Sequence, residues 1–255
     1  MSNQLELRLI IDPPQPGAWN MAVDESLMQS VGSSETEQPA AGVLRFYQWD
    51  EPTLSLGYFQ KERDRSTHSP SESLPMVRRN SGGGAIIHHL ELTYSLTISE
   101  SVVTSIFGNA RELYVLMHTT LIASLGSFGV EATLVSDLEK DLESKFLCFL
   151  RRAPNDVLVS GRKVCGGAQR KKFDSVSQHG SVIVQTSEFA PEIIGINDMS
   201  GSNLSVSGLQ ERWIEGISGR LRCSLEPSTL TNTEAKRAQE LCEGKFASVT
   251  WNSKR

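Results

Sequence analysis

Three consecutive glycines, Gly82, Gly83 and Gly84, follow closely after the pair Arg78-Arg79. Glycine allows positive φ and lets a ligand approach the main chain closely. A cation beside exposed backbone N–H groups suits a carboxylate, a phosphate or an acyl-linked phosphate. A glycine bulge in a sheet, with the arginines on its solvated face, has the same pattern. The segment is neither a P-loop nor a GxGxxG motif, so these residues alone leave both interpretations open.

A second candidate is Lys163 in the segment GRKVCGGAQ (161–169). A single surface lysine is most often a solvated charge. This one lies on a short predicted hairpin that continues into Gly166 and Gly167, whose backbone N–H groups can stabilise a developing oxyanion. The pattern therefore points to acyl chemistry near Lys163.

The cysteines and histidines are less specific. Cys148 lies in FLCFL, where a cysteine normally only fills space in the core. His88, His89 and His179 can act as general bases, but half-buried strand histidines with satisfied ring nitrogens are more common. No carboxylate recurs around them at metal-ligand spacing, so we predict no structural metal. The four cysteines form no CxxC pair, and reduced thiols in the cytoplasm fit best.

Hydrophobic periodicity places these residues on a mixed set of elements. The pattern predicts one mixed α/β (α+β) domain over residues 1–255. Polar loops are expected at 32–41 and 61–73, and an acidic stretch at 136–144. The expected strands cover 5–11, 44–49, 53–59, 75–89, 92–98 and 181–185, with a hairpin at 155–172 that turns at Ser160-Gly161. The expected helices cover 19–28, 104–128, 208–220 and 232–243.

Composition excludes several classes of protein. The 255 residues are 38% hydrophobic and 22% charged, which is ordinary for a globular protein. A net charge of −5 argues against a protein devoted to nucleic acid. The sequence has no apolar run of membrane-spanning length and no signal-peptide pattern at its start, so we expect no membrane association.

Taken together, the segments resemble the catalytic domain of the lipoate–protein ligase and octanoyl transferase families. WNMAVDESL (19–27) resembles their first helix, and RRNSGGGAIIHHLELTYSL (78–96) resembles their arginine–glycine signature. The segments NDVLVSGRKVCGGAQRKK and QHGSVIV (155–184) resemble their lysine hairpin and the strand after it, and FASVTWNSKR resembles their closing segment. The resemblance covers residues 5–190 plus this tail. It implies a biotin/lipoyl-protein-ligase-like fold with a central mixed β-sheet flanked by helices.

The resemblance also implies which residues act. One transferase class carries its nucleophile in a Cys-Phe pair upstream of the lysine hairpin, and Cys148-Phe149 has that position before Lys163. Another class places the cysteine after the last strand, but IIGINDMSG (193–201) has none. Cys165 falls where the family often has serine and stays a rival nucleophile. With Cys148 and Lys163 as catalytic residues, the implied substrate-binding residues are Arg78, Gly82, Gly83, Gly84, His88, Asn155, Asp156, Gly166, Gly167, Ala168 and His179.

The implied reaction moves an octanoyl or lipoyl group from octanoyl-acyl carrier protein, through a Cys148 thioester, to a lysine of a lipoyl domain or glycine cleavage H protein. An apolar tunnel walled by the helix at 104–128 and the strands at 83–98 would hold the acyl chain. Lys163 would favour the thiolate, and would act as a base if desolvation lowers its pKa. The reaction needs no cofactor, because converting a thioester into an amide is downhill.

Other functions remain open at this point. An ATP-dependent lipoate–protein ligase would form lipoyl-AMP with ATP and magnesium, and Lys163 would neutralise the phosphate. A non-catalytic lipoyl-domain binding protein is a third possibility, and biotin ligation matches at fold level only. Family ligases commonly carry an accessory C-terminal domain. Because the closing segment ends at Arg255, a single catalytic domain is expected.

Residues 151–172 are strongly basic. They contain seven basic residues and the single acid Asp156 in a chain whose net charge is −5. Charge runs are usually solvated faces, but this one surrounds the candidate lysine. It predicts a docking rim for acidic carrier and acceptor proteins. The basic residues are Arg151, Arg152, Arg162, Lys163, Arg170, Lys171 and Lys172.

Overall fold

The structure is a computed structural model that describes residues 5–33, 40–141 and 145–255. Its strands form an eight-stranded mixed sheet of order β11-β1-β2-β6-β10-β9-β8-β7 and a three-stranded sheet of order β4-β3-β5. The strands are β1 Leu5–Ile11, β2 Gly42–Tyr47, β3 Thr53–Leu56, β4 Met76–Arg78, β5 Ile86–His88, β6 Glu91–Ser99, β7 Ala132–Leu134, β8 Val157–Val159, β9 Arg162–Lys172, β10 Ser175–Ile183 and β11 Cys223–Pro227.

Helices cover the faces of the large sheet. They are α1 Gly17–Val31, α2 Glu100–Val102, α3 Ala110–Gly126, α4 Ile196–Ser200, α5 Val206–Leu221, α6 Asn232–Leu241 and α7 Val249–Asn252. Alternate residues of a strand point to opposite faces. On β2, Phe46 packs edge-on against Trp213 of α5, at 5.6 Å between ring centroids. Arg45 points to the opposite face, where its guanidinium forms an ion pair with Asp24 of α1 at 2.9 Å.

The small sheet carries the arginine–glycine segment. Residues 79–85, called here the signature loop, connect β4 to β5. The sheet packs Leu54, Leu56 and Ile87 against Leu147 and Phe149 in a separate apolar cluster. An isolated parallel bridge between Ala85 and Leu147 ties the end of the loop to the residue before Cys148. The fold thereby joins the Gly82–Gly84 segment to the candidate cysteine.

Most of the expected elements are present, with differences in extent. The hairpin turn at Ser160-Gly161 is confirmed, with φ of 48° and 72°. The expected helix at 104–128 is shorter, because a π-helical turn, Val103–Phe107, ends at Gly108 with φ of 76° and α3 starts anew behind the Asn109 cap. The pattern missed β11, an edge strand beside β1. The polar loop at 32–41 and the acidic stretch at 136–144 lie partly outside the described residues.

None of the helices in the described ranges combines the length and apolar composition that a membrane span requires.

Candidate active site

Two of the residues singled out from the sequence lie together at one edge of the large sheet. The Lys163 Nζ lies 3.7 Å from the Cys148 Sγ and 3.5 Å from the Cys148 carbonyl oxygen. Cys148 is half-buried at the start of a short 3₁₀ helix, Cys148–Leu150, and Lys163 is 6% exposed on β9. A thiol and an amine at this distance can share a proton, so the pair can supply a thiolate.

The signature loop holds Cys148 in place. The Cys148 N–H donates to the Ala85 carbonyl at 2.8 Å, and the Ala85 N–H donates to the Phe146 carbonyl at 2.9 Å. Gln60 supports the same segment, since its amide donates to the Phe146 carbonyl at 3.1 Å. A Cβ on Gly84 would lie 2.9 Å from the Cys148 backbone nitrogen. The close approach of two backbones therefore explains the glycine at position 84.

Lys163 is fixed by Asp156. The Lys163 Nζ lies 2.8 Å from the Asp156 Oδ2, and both side chains are almost fully buried. Asp156 also accepts from the Ala153 N–H at 2.7 Å and from the Tyr114 hydroxyl at 3.1 Å. A Cβ on Gly166 would lie 2.7 Å from the Lys163 Nζ. Glycine at 166 therefore leaves room for the lysine to reach both partners.

The charges around Lys163 correct one sequence-based expectation. Burial acts to lower the pKa of Lys163, but the neighbouring Cys148 and Asp156 outweigh it and place the pKa above its ordinary value. The condition under which Lys163 would start as a base, a pKa lowered by desolvation, is therefore not met. Lys163 is an ammonium at neutral pH and can act as a base only after giving up a proton.

Cys165 has a different environment. It is fully buried in the main core, with its Sγ 3.7 Å from the His118 Nε2. Burial raises the pKa of the Cys165 thiol well above its ordinary value. A thiol that is neutral and inaccessible is a poor nucleophile. Of the two rival cysteines, Cys148 has the geometry for acyl transfer.

The remaining residues around the hairpin have defined partners. The Gly167 N–H donates to the Tyr114 hydroxyl at 3.0 Å and is therefore engaged here rather than free for an oxyanion. Asn155, with φ of 69°, accepts from the His118 Nδ1 at 2.6 Å through its carbonyl. Asn155 and Ala168 both line a cavity of about 400 Å³ beside Asp156.

A second cavity, of about 350 Å³, adjoins Lys163 itself. Phe149, Leu150, Ile193 and Ile194 form its apolar lining, and charged side chains complete its wall. The strands at 83–98 and the helix α3 do not line this cavity. The acyl tunnel expected between those elements is therefore not the space next to the lysine.

Arg78 has a supporting position. Its guanidinium is buried and donates to the carbonyl of Asn252 at 2.7 and 3.0 Å and to those of Gly57 and Gln60 at 3.1 and 2.6 Å. The Trp251 indole donates in turn to the Arg78 carbonyl at 2.9 Å. These contacts leave Arg78 turned toward the C-terminal segment, and its predicted contact with substrate stays a prediction.

The two predicted histidines differ. His88 is buried between Glu91 and Ser55 and stacks on Trp49 at 3.8 Å between ring centroids, and burial lowers its pKa. His179 is half-buried and bonds through Nε2 to Ser81 of the signature loop. Burial, assisted by the nearby Arg79, lowers the pKa of His179 to about 4. Both rings are therefore neutral at pH 7.

Arg79 and Arg170 also lie at the site, although the sequence did not mark them as substrate-binding residues. Arg79 donates to the Ser55 carbonyl at 2.7 Å and to the Gly84 carbonyl at 2.8 Å, and burial lowers its pKa to about 10. Arg170 lines a narrow pocket of about 30 Å³ with Arg79 and His179. Within the described residues the Arg170 Nε has no hydrogen-bond partner. No local signal in the sequence identifies the orientation of Arg79 or of Arg170.

The basic segment is not a uniform rim. Arg170 is half-buried toward the narrow pocket, and Arg151 donates to the Lys145 carbonyl. Arg152 donates to the Gly161 carbonyl at 2.6 Å, and Lys171 pairs with Glu100. A docking rim formed by all of these side chains stays a prediction. Among residues 5–33, 40–141 and 145–255, no group of three or more His, Cys, Asp or Glu side chains is arranged to hold a metal ion.

Comparison with known proteins gives consistent matches. The family model described as "Lipoyl protein ligase A/B catalytic domain" matches residues 16–234. Octanoyltransferase LipM of Brevibacillus brevis is 30% identical over 97% of this chain and 99% of its own length. The protein of the same name from Geobacillus kaustophilus is 31% identical over 94% of this chain and 95% of its own length.

Solved structures confirm the expected fold. The putative lipoate protein ligase Ta0514 from Thermoplasma acidophilum superposes with a TM-score of 0.79 at 22% identity, covering 98% of this chain and 100% of that one. Lipoate-protein ligase A bound with ATP superposes with a TM-score of 0.76 at 21% identity, covering 98% of each chain. The central mixed sheet flanked by helices is therefore the lipoate–protein ligase fold.

Proposed function

We propose that this chain, which belongs to the lipoyl protein ligase A/B catalytic domain family, is an acyltransferase that moves an octanoyl group onto a lysine of a lipoyl-accepting protein. The donor is an octanoyl thioester of an acyl carrier protein, and the intermediate is a thioester on Cys148. The observation that carries the proposal is the 3.7 Å separation of the Cys148 Sγ and the Lys163 Nζ. Relatives named octanoyltransferase over nearly the full chain support it.

In the first half-reaction the Cys148 thiolate attacks the carbonyl carbon of the donor thioester. The new Sγ–C bond forms as the bond to the carrier sulfur breaks. The departing carrier thiolate takes a proton from the Lys163 ammonium. The raised pKa of Lys163 keeps the lysine charged when Cys148 attacks, so that it stabilises the thiolate.

In the second half-reaction the acceptor lysine attacks as a neutral amine. The C–N bond of the amide forms, the C–Sγ bond breaks, and the proton lost by the amine goes to the now neutral Lys163. Thiolate and ammonium are thereby restored. Asp156, at 2.8 Å from Nζ, holds the amine in place through both steps. A lysine that donates and then accepts one proton needs no separate base.

The cavity beside Lys163 offers the acyl chain an apolar wall of Phe149, Leu150, Ile193 and Ile194, while charged side chains make up the rest of its lining. Its volume of about 350 Å³ falls within the usual range for small-ligand sites. The narrow pocket beside Arg170, at about 30 Å³, has room for about two water molecules. Each methylene buried against Phe149, Leu150 and Ile193 contributes about 0.8 kcal/mol.

The alternative is an ATP-dependent lipoate–protein ligase that uses the same fold. The length of this chain does not separate the two reactions, because lipoate-protein ligase A bound with ATP aligns over 98% of its own chain. The cysteine does separate them: an adenylate mechanism has no use for a thiol beside the lysine. We therefore favour the transferase, which requires neither ATP nor magnesium.

The test is direct acylation. Octanoyl-carrier thioester is incubated with the protein without ATP, the mixture is quenched in acid, and the adduct is mapped by mass spectrometry. We expect an octanoyl adduct on Cys148, none in Cys148→Ala, and an unchanged adduct in the control Cys242→Ser. An adduct on Cys165, or transfer that occurs only from free octanoate or lipoate with ATP and magnesium, would refute the proposal.

A further substitution tests the role of Lys163. Lys163→Arg keeps a cation near Cys148 but cannot give up its proton near neutral pH. We expect the arginine variant to lose transfer to the acceptor. If it turns over at the unmodified rate, the lysine supplies only charge.

A further inference from the structure

A surface cluster of three aromatic rings and two cations lies on the outer side of the signature loop. This aromatic–cationic patch consists of Tyr58, Phe59, Trp251, Lys254 and Arg255. The Lys254 Nζ lies 3.5 Å from the centre of the Tyr58 ring and 3.4 Å from that of Trp251. The Arg255 guanidinium lies 5.3 Å from the rings of both Tyr58 and Phe59. Cation–π contacts of this kind hold the cations in fixed positions.

The patch presents an apolar surface to solvent. The Phe59 side chain is 68% exposed, although it lies only three residues after the end of β3, whose Leu54 and Leu56 are fully buried. An exposed aromatic ring beside ordered cations is more typical of a protein-interaction surface than of a solvated loop.

The patch adjoins the active site. The Phe59 ring lies 3.7 Å from the Cβ position of Gly82, and the Cβ position of Gly84 lies 2.9 Å from the Cys148 backbone nitrogen. Gly82 and Gly84 are two residues apart, so at most about 7 Å of chain separates these two contacts. A protein seated on Phe59 would therefore lie beside the nucleophile.

The charges of the patch are not neutralised locally. Within the part of the chain that the structure describes, Lys254 and Arg255 take part in no ion pair with a carboxylate. Arg170 adds a further cation beside the patch, since its guanidinium lies 5.9 Å from the centre of the Tyr58 ring, whereas Lys245 is paired with Glu25. Such a field attracts an anionic partner and orients it before contact.

We propose that the aromatic–cationic patch is the docking surface for the acyl carrier protein that delivers the octanoyl thioester. This inference rests on the proposed function. The donor tethers its acyl group through a phosphodiester-linked arm, which is an anion, and an acidic face around that arm complements Lys254 and Arg255. The acceptor presents a lysine side chain, which carries no such anionic arm. Phe59 supplies the apolar centre of the contact, and the cations supply its charged rim.

The experiment compares three donors with one set of variants. The donors are octanoyl-carrier protein, octanoyl-CoA and octanoyl-N-acetylcysteamine, and the variants are Phe59→Ala and Lys254→Glu. Arg220→Glu, at an exposed position in α5, is the matched charge control. We expect kcat/KM for the carrier to fall about tenfold or more in each patch variant, the size of effect that steering charges have on association. Acylation by the small thioester should stay within about twofold, since that donor has nothing to dock.

Each contrary result has one meaning. An equal loss with the small thioester would place the patch in the chemistry, and an equal loss with octanoyl-CoA would show recognition of the phosphate arm alone; either overturns a carrier docking surface. Unchanged carrier kinetics in both variants would also overturn it. If the unmodified protein fails to acylate Cys148 from any of the three donors, it is the proposed function that fails.

Discussion

The strongest test of the site as a unit is to remove the charge on Asp156. Asp156→Asn keeps the shape of the side chain but leaves the Lys163 ammonium buried without its carboxylate. The two groups are 2.8 Å apart, with side-chain exposures of 4% for Lys163 and 1% for Asp156. At an effective dielectric constant of 20, unit charges at that distance attract by about 6 kcal/mol. Because desolvation offsets part of this attraction, we expect unfolding free energy to fall by about 3–5 kcal/mol, the usual cost of breaking a buried pair.

The double variant Asp156→Asn/Lys163→Met should lose less unfolding free energy than the sum of the losses in the two single variants. Lys163→Met leaves the Asp156 carboxylate with two other donors, the Ala153 N–H and the Tyr114 hydroxyl, so its cost should be smaller than that of Asp156→Asn. The double variant buries no unpaired charge. We therefore expect a coupling energy of about 2 kcal/mol or more between the two positions, within the range that contacting residues show.

The assay is urea denaturation followed by tryptophan fluorescence, with Trp213 fully buried in the core as the main reporter. The four proteins of the cycle are compared at pH 7, and a constant m-value checks that the unfolding reaction is the same. Free-energy changes that add within about 0.5 kcal/mol would mean that Lys163 and Asp156 do not interact. In that case Asp156 would not anchor the Lys163 ammonium.

Three further predictions follow from individual contacts. Gly84→Ala places a methyl group 2.9 Å from the Cys148 backbone nitrogen, so acylation should slow about 100-fold, the effect of a misplacement of about 1 Å. Asn252→Ala leaves the buried backbone N–H of Arg78 without its side-chain acceptor at 2.8 Å. Denaturant titration should show a loss of about 1–3 kcal/mol in unfolding free energy. Burial lowers the pKa of His118 from 6.5 to about 4, so stability should be complete above pH 6.5 and fall by up to about 3 kcal/mol as the pH drops toward 4.

Each of these three has its own control. Gly126→Ala adds a methyl group where no atom lies within 4 Å, and acylation should be unaffected. Asn252→Ala also removes the Nδ2 donor to the Phe246 carbonyl, so a loss of stability below about 1 kcal/mol in Asn252→Ala would mean that the side-chain acceptor is irrelevant. For His118, the variant His118→Gln should reduce the slope of stability between pH 6.5 and 4 without abolishing it, because His179 also has a pKa lowered to about 4; a slope that persists unchanged would assign it to other groups.

The sequence predicted the hairpin and the glycines because those signals are local. A turn at Ser160-Gly161 needs positive φ at both residues, and only a few residue types favour it. The close approach at Gly84 likewise belongs to a residue type that has no Cβ. Such requirements depend on the residue type alone, so they can be recognised in the sequence without knowledge of the fold.

The role of each arginine could not be recovered in that way. Arg78 and Arg79 are adjacent, and the sequence does not say which of them faces the C-terminal segment. In the structure the Arg78 guanidinium donates to the carbonyl of Asn252, which lies 174 residues further along the chain. The Arg79 guanidinium donates instead to the Gly84 carbonyl. Partners so distant in sequence are set by the packing of α7 against β4.

Ligation through an adenylate and transfer through a thioester make different demands on one lysine. The adenylate route needs a permanent cation, whereas the transfer route needs an ammonium that can pass its proton to a leaving sulfur and take one back from an amine. The site brings the parts of the second route together: Asp156 keeps the Lys163 amine in place at 2.8 Å, and the half-buried Cys148 has its Sγ 3.7 Å from that amine. The Cys148 backbone packs closely against Gly84, so the signature loop fixes the position of the candidate nucleophile relative to Lys163.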